Sequence, residues 1–181
     1  MLMQAHNQSN NIAFAIDGSS ESLSMAFFEG EFIVDSIFIE KAIHSVRIIS
    51  TFDALLKKTQ LRISDIKTLY VTIGPGRYSS LRATLSTIKG LFFDFLNSVY
   101  CVNTMDLIAA NCLDNGCLSV SKKTSKGEIT HYYSTAKMIQ RLDKASQNCY
   151  NFDGVSDIKN LFRIDKKLFV KCSLSSIAPI Y

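Results

Sequence analysis

Residues 66–82 read Ile66-Lys67-Thr68-Leu69-Tyr70-Val71-Thr72-Ile73-Gly74-Pro75-Gly76-Arg77-Tyr78-Ser79-Ser80-Leu81-Arg82. A short apolar run ends at Gly-Pro-Gly and gives way to helical spacing. Leu81, Leu85, Ile88, Phe92 and Phe95 then fall on one stripe that can cover a sheet. This is a strand, a tight turn and a helix that starts at about Ser79, a residue suited to cap it. Amide groups and the macrodipole at such a turn favour anions. The spacing is not that of a Walker A loop, which needs Gly-Lys-Ser/Thr. Nor is it G-x-G-x-x-G, because Ser79 stands at the third glycine. By spacing alone the segment is a strand-to-helix turn.

Upstream, Asn11 to Asp17 is an apolar run that stops at Asp17-Gly18-Ser19-Ser20, the pattern of a buried strand. Leu23 to Phe28 and Phe32 to Ile39 are two further strands. Loops this short make the three antiparallel neighbours, since parallel pairing needs a long crossover. Ile48, Phe52, Leu55 and Leu56 recur at helical spacing, and the pattern is lost by Thr59-Gln60. Downstream of Gly74, a strand at Val99 to Val102 precedes a helix capped by Thr104. The order β-β-β-α-β-α-β-α, with right-handed crossovers in its second part, fits the ribonuclease-H-like half of an actin-like α/β fold. Beyond Leu113 the pattern weakens. Cys117 to Ser121 and Glu128 to Tyr133 read as a hairpin turned at Lys126-Gly127, Asp157 to Phe162 as a short helix, and Lys167 to Cys172 as a strand. Three segments are expected: a disordered N-terminus over 1–10, a ribonuclease-H-like lobe over 11–110, and a reduced second lobe over 111–181.

The chain has 181 residues, 47% hydrophobic and 20% charged, the composition of a folded globular protein. No apolar run reaches the ~20 residues of a transmembrane helix, and the first residues do not read as a secretory signal. Five cysteines without C-x-x-C spacing imply free thiols and a cytoplasmic setting rather than zinc or a disulfide framework. The net charge of +4 lies wholly after residue 103, with Lys122, Lys123 and Lys126 in one cluster and Lys166, Lys167 and Lys171 in another. Such clusters can meet phosphate or form a solvated face.

On the helix that starts at about Ser79, Ala83, Ser86, Thr87 and Gly90 fall at i, i+3, i+4 and i+7, a face of small residues that lets another helix approach closely. That helix is either a partner's or the chain's own first helix. Asp17-Gly18-Ser19-Ser20 stands where actin-like ATPases face nucleotide phosphates and metal, but a hairpin turn accounts for the same residues. Sugar-kinase-like actin folds also need a Gly-Gly near the adenine, and none occurs.

Gly74-Pro75-Gly76, Leu81-Arg82 and Lys89-Gly90-Leu91 resemble the TsaB (YeaZ) family, which carries Gly-Pro-Gly-Ser-Phe-Thr-Gly-Leu-Arg followed by Lys-Gly-Leu. Arg77 and Ser80 depart from that motif. Ala15-Ile16-Asp17 with Ser19, His44-Ser45 with Arg47, and Asp106 with Leu107 and Ala109 keep the family's order. The resemblance is strong over 11–110 and faint beyond it. It implies no cofactor or metal and a non-catalytic subunit that binds and activates a TsaD-like catalytic subunit. The implied pathway makes N6-threonylcarbamoyladenosine in tRNA, with a TsaE-like ATPase as further partner. It also implies a homodimer in isolation, tRNA contact only through the complex, and an interface at Leu81, Ala83, Ser86, Thr87 and Gly90. The catalytic TsaD binds metal through H-x-x-x-H on the first helix; here His44 is followed at position 48 by Ile48. A divergent actin-fold phosphotransferase or nucleotide-binding protein is the alternative, and a dimerisation module unrelated to tRNA a third.

Overall fold

The computed structural model describes residues 11–93, 96, 98–112, 116–124, 127–134, 138–143, 149–151 and 156–180. The expectation for residues 1–10 lies outside them. Strands β1 (Ile12–Asp17), β2 (Leu23–Glu29) and β3 (Phe32–Ile39) form an antiparallel meander. Helix α1 (His44–Thr59), β4 (Ile66–Gly74), α2 (Tyr78–Leu91), β5 (Ser98–Asn103) and α3 (Thr104–Ala110) follow. β4 pairs parallel to both β1 and β5. A second sheet is built from β6 (Cys117–Thr124), β7 (Gly127–Ser134), β8 (Gln140–Leu142) and β9 (Cys149–Asn151). The chain then returns to the first sheet as β10 (Val170–Cys172), antiparallel to β5. The first sheet therefore runs β10-β5-β4-β1-β2-β3. This is the ribonuclease-H-like order, and the actin-like expectation holds.

Alternation along the strands explains why β1 reads as continuously apolar. Ile12, Phe14 and Ile16 pack with Ile48, Phe52, Leu55, Leu85 and Ile88 on the face that α1 and α2 cover. Ala13 and Ala15 point the other way, to Met105, Ile108, Leu118 and Leu161. Both faces of the central strand are thus buried. Phe14 and Phe52 meet edge-to-face with centroids 4.8 Å apart, and Phe27 and Phe92 complete the aromatic group.

Several boundaries differ from expectation. α2 begins one residue early, at Tyr78, and Ser79 does not cap it; Arg77 occupies the cap position without a side-chain bond. α3 is capped by Asn103, whose side chain accepts from Met105 N at 2.8 Å, and Thr104 is its first residue. Asn-before-Thr offers two capping groups, and the one in extended backbone geometry serves. Residues 158–163 form a 3-10 helix capped by Asp157. Residues 166–168 form another, so only 170–172 of the expected strand is extended. β8 and β9, at three residues each, are too short to show a period. Residues 170–180 lie against the first sheet, so the segment after residue 110 serves both sheets.

Candidate functional site

The Gly-Pro-Gly turn is held by backbone on two sides. Ile180 N donates to Ile73 O at 2.6 Å, and Arg77 N donates to Ser19 O at 2.8 Å. A Cβ on Gly74 would lie 2.2 Å from Ile180 O, and one on Gly76 would lie 2.1 Å from Ser19 O. Gly74 also has φ +113°, a conformation L side chains rarely adopt. These glycines permit close packing of three chain segments, and Pro75 between them is buried.

Asp17 turns inward. Its carboxylate is fully buried, and Oδ1 accepts from Ser19 N at 3.0 Å and from Thr72 Oγ1 at 2.6 Å. Oδ1 thereby braces the end of β1 against β4, whereas Oδ2 and the Ser19 hydroxyl are buried without a hydrogen-bond partner among the described residues. Gly18 is pressed between Thr84 and His44: a Cβ there would lie 2.1 Å from Thr84 Oγ1 and 3.0 Å from His44 Cδ2. His44, the first residue of α1, is buried with Nδ1 3.1 Å from Ala42 O and Nε2 3.2 Å from Ser22 O. Burial holds its pKa below the ordinary histidine value. Ile48, one turn on, belongs to the apolar core. Among the described residues no group of three or more His, Cys, Asp or Glu could hold a metal ion.

The expected interface residues divide. Leu81 is fully buried in the core and is removed from the face on which it was placed. Ser86 and Gly90 are exposed, while Ala83 and Thr87 are half-buried alongside α1. A Cβ on Gly90 would meet nothing within 4 Å. Arg82 is exposed, donates to Tyr78 Oη at 2.8 Å and lies over that ring. Sequence reasoning missed a second feature of this surface. On α1, Val46 and Ile49 are 65% and 59% exposed, and Ile43 before the helix is 71% exposed. Their spacing of three was legible, but it lay beside the stronger buried stripe of Ile48, Phe52 and Leu55.

The basic clusters are less concentrated than the sequence suggests. Lys122 and Lys123 are neighbours on β6 and so point to opposite faces; Lys126 lies outside the described residues. Lys166 pairs with Glu31 at 2.8 Å. A cleft of about 430 Å³ between the two sheets holds Lys41 and Lys122 but also Glu21 and Glu40. Cysteine chemistry also needs correction. Cys101 and Cys172 are free thiols, whereas Cys117 is disulfide-bonded. Strand pairing, which spacing does not reveal, brings Cys117 beside position 149.

The family model of TsaD, tRNA N6-adenosine threonylcarbamoyltransferase, matches residues 39–160. The chain belongs to this family. The tRNA threonylcarbamoyladenosine biosynthesis protein TsaB of Bacillus subtilis (strain 168) is 30% identical over 98 residues, 54% of this chain and 43% of that protein. The chain thus spans under half the length of the curated relative it matches. YeaZ from Pseudomonas aeruginosa shares the fold with a TM-score of 0.78 at 14% identity, over 94% of this chain and 99% of that one. A second structure, described as similar to peptidase YEAZ from Pseudomonas aeruginosa, also has a TM-score of 0.78, at 12% identity. Among the described residues no helix is long and apolar enough to cross a membrane.

Proposed function

We propose that this chain is a TsaB-like, non-catalytic subunit that docks on a TsaD-like catalytic subunit and activates it for tRNA threonylcarbamoyladenosine formation. The observation that carries the reading is the outward surface of α1 and α2. Exposed Val46 and Ile49 lie on one helix, and Ser86 and the open Gly90 on the other. Apolar side chains next to a shallow small-residue face suit a pair of partner helices at the short end of the ~8–10 Å interaxial range. The same surface serves a homodimer of the isolated chain, and a TsaE-like ATPase joins at another surface. Ile48 in the core, one turn after His44, supports leaving metal and chemistry to the partner. Tighter binding to the competent than to the incompetent arrangement of the partner is the physical content of activation.

The test is co-expression with the TsaD-like subunit of the same genome, followed by size exclusion. Wild type co-elutes, and Gly90→Leu and Ala83→Leu elute folded and apart from the partner. Gly90→Leu is the cleaner probe, because its side chain enters open space in the free chain. Co-elution of both variants at wild-type affinity removes this surface from the interface. tRNA binding by the isolated chain as tight as by the complex would overturn the assignment of tRNA contact to the complex alone.

A further inference from the structure

The first turns of α1 and α2 open into one pocket of about 410 Å³ whose lining includes His44, Ser45, Arg77, Ser79, Ser80 and Ala83. The two helices have 16 and 14 residues, long enough for full macrodipoles. Neither is capped by a side chain: Ile43 and Arg77 hold the cap positions without one bond to the first-turn amides. Neither first turn contains an acidic residue. Val46 N of α1 is taken by Ile43 O at 2.9 Å, but the amides before it have no acceptor inside the helix, so two positive helix ends meet at one cavity with no fixed countercharge from their own sequence.

A buried polar group points to a ligand independently of the helix ends. Ser80, 7% exposed, lines the pocket, and its hydroxyl has no hydrogen-bond partner among the described residues. One turn further along α2, Thr84 Oγ1 is also buried without a partner, but it faces Gly18 and does not line the pocket. Buried hydroxyls in native structures are almost always paired, with water or ligand where protein supplies nothing. The Arg77 guanidinium is at the rim, held by Glu21 and half-exposed, so it can swing between that carboxylate and a bound anion.

We propose that this pocket binds a phosphoryl oxyanion, through the first-turn amides of both helices, the hydroxyls of Ser79 and Ser80, and Arg77. The site borders the docking surface and shares Ile43 and Ala83 with it, but it concerns the free chain and is tested without a TsaD-like partner. Inorganic phosphate and the phosphate of a nucleotide share the recognised chemistry. The pocket holds more than one phosphate's volume, which leaves room for either.

The test is titration of the full chain with sodium phosphate, followed by amide NMR against sodium chloride at matched ionic strength. The expected result is saturable shifts at Ser45, Ser79 and Ser80 with phosphate and none with chloride. Ser79→Asp supplies a carboxylate to the same amides and should weaken phosphate binding about tenfold or more. An acid at a helix start favours folding, so this variant remains folded. Glu21→Gln frees Arg77 and should tighten binding severalfold. A parallel titration with AMP separates the sources: equal affinity marks a free-oxyanion site, and tighter AMP binding marks a nucleotide phosphate. Equal shifts with chloride, no saturation, or unaltered binding in Ser79→Asp would overturn the proposal.

Discussion

Arg141 Nη2 donates to both carboxylate oxygens of Asp106, at 2.7 and 2.9 Å, and so ties β8 of the second sheet to α3 beneath the first. Asp106 is 1% exposed, whereas the Arg141 side chain is 37% exposed. Tyr133 Oη donates to the same carboxylate at 2.8 Å. Because that hydroxyl's only hydrogen is used on Asp106, the neighbouring His131 Nδ1 at 3.2 Å must be the donor to Tyr133.

The asymmetry of exposure predicts unequal losses. Arg141→Ala strands a buried carboxylate with one remaining donor and should cost on the order of 3 kcal/mol, roughly 6–12 °C in Tm for a chain of this size. Asp106→Asn leaves the cation able to reach water and keeps an acceptor for Tyr133, so it should cost about 1–2 kcal/mol. Thermal melts of both variants, run side by side, check the order. Equal losses, or a larger loss for Asp106→Asn, would show that the ion pair is not what joins the two sheets.

Glycine substitutions should separate packing from helix propensity. In Gly76→Ala the new methyl meets the Ser19 carbonyl at 2.1 Å, and that backbone is fixed by its bond from Arg77 N. The expected loss is about 1–3 kcal/mol or more. In Gly90→Ala the methyl meets nothing, and replacing glycine in a helix should stabilise by roughly 0.5–1 kcal/mol. Urea midpoints measure both. A Gly76→Ala chain as stable as wild type would refute the close-packing role of the turn.

Much of this was legible because one signal dominated. Period-two alternation in β1 was hidden under a run that is apolar on both faces, yet the run length and the Asp-Gly turn still marked a buried strand. The buried stripe of Leu81, Leu85, Ile88 and Phe92 came from spacing alone, and Phe95 lies outside the described residues. What escaped depended on distant pairing. Asp106, Tyr133 and Arg141 are far apart in sequence, and nothing local in any of them announces the others. The same holds for Asp17 with Thr72, and for the meeting of two helix starts at one pocket. Leu81 entered the expected interface through the family resemblance, although its spacing to Leu85 and Ile88 already puts it on the buried stripe. The cap of α2 was misread because Ser79 is a good capping residue in the wrong backbone position.

Acidification through the histidine range should destabilise the chain. Both ring nitrogens of His44 face carbonyls, but burial outweighs them and holds the pKa down; Asp17 opposes this and Arg77 adds to it. At His131 burial and then Arg141 lower the pKa, against Asp106. The unfolded chain, at an ordinary value of about 6.5, therefore takes up these protons first. The stability is present above that value and is lost as pH falls through the folded values. Asp35 and Asp65 are also lowered, by Lys58 and Arg62, but their losses come only in the carboxylate range. The urea midpoint should fall between pH 7.5 and 5.5, and the slope should flatten in His44→Gln/His131→Gln. A midpoint that rises on acidification, or a double variant with the wild-type profile, removes the histidines as its source.

The docking surface makes a prediction that a structural role cannot imitate. Val46 and Ile49 are exposed on α1, so Val46→Glu and Ile49→Glu delete no core contact and should change stability within about 0.5 kcal/mol. Binding should respond far more, because an apolar residue at the centre of a helix–helix interface excludes water, and a carboxylate there is buried unpaired. Each variant should weaken association with the TsaD-like subunit by at least about tenfold, that is ~1.4 kcal/mol. Combining Val46→Glu with Gly90→Leu should lose less than the sum of the single losses if both residues meet one partner surface, since either disruption alone already opens the contact. Analytical ultracentrifugation of the chain alone reads the homodimer in the same variants. Loss of self-association with retained TsaD-like binding would assign α1 to the homodimer only, and unaltered behaviour in both assays would leave the exposed valine and isoleucine without a role in assembly.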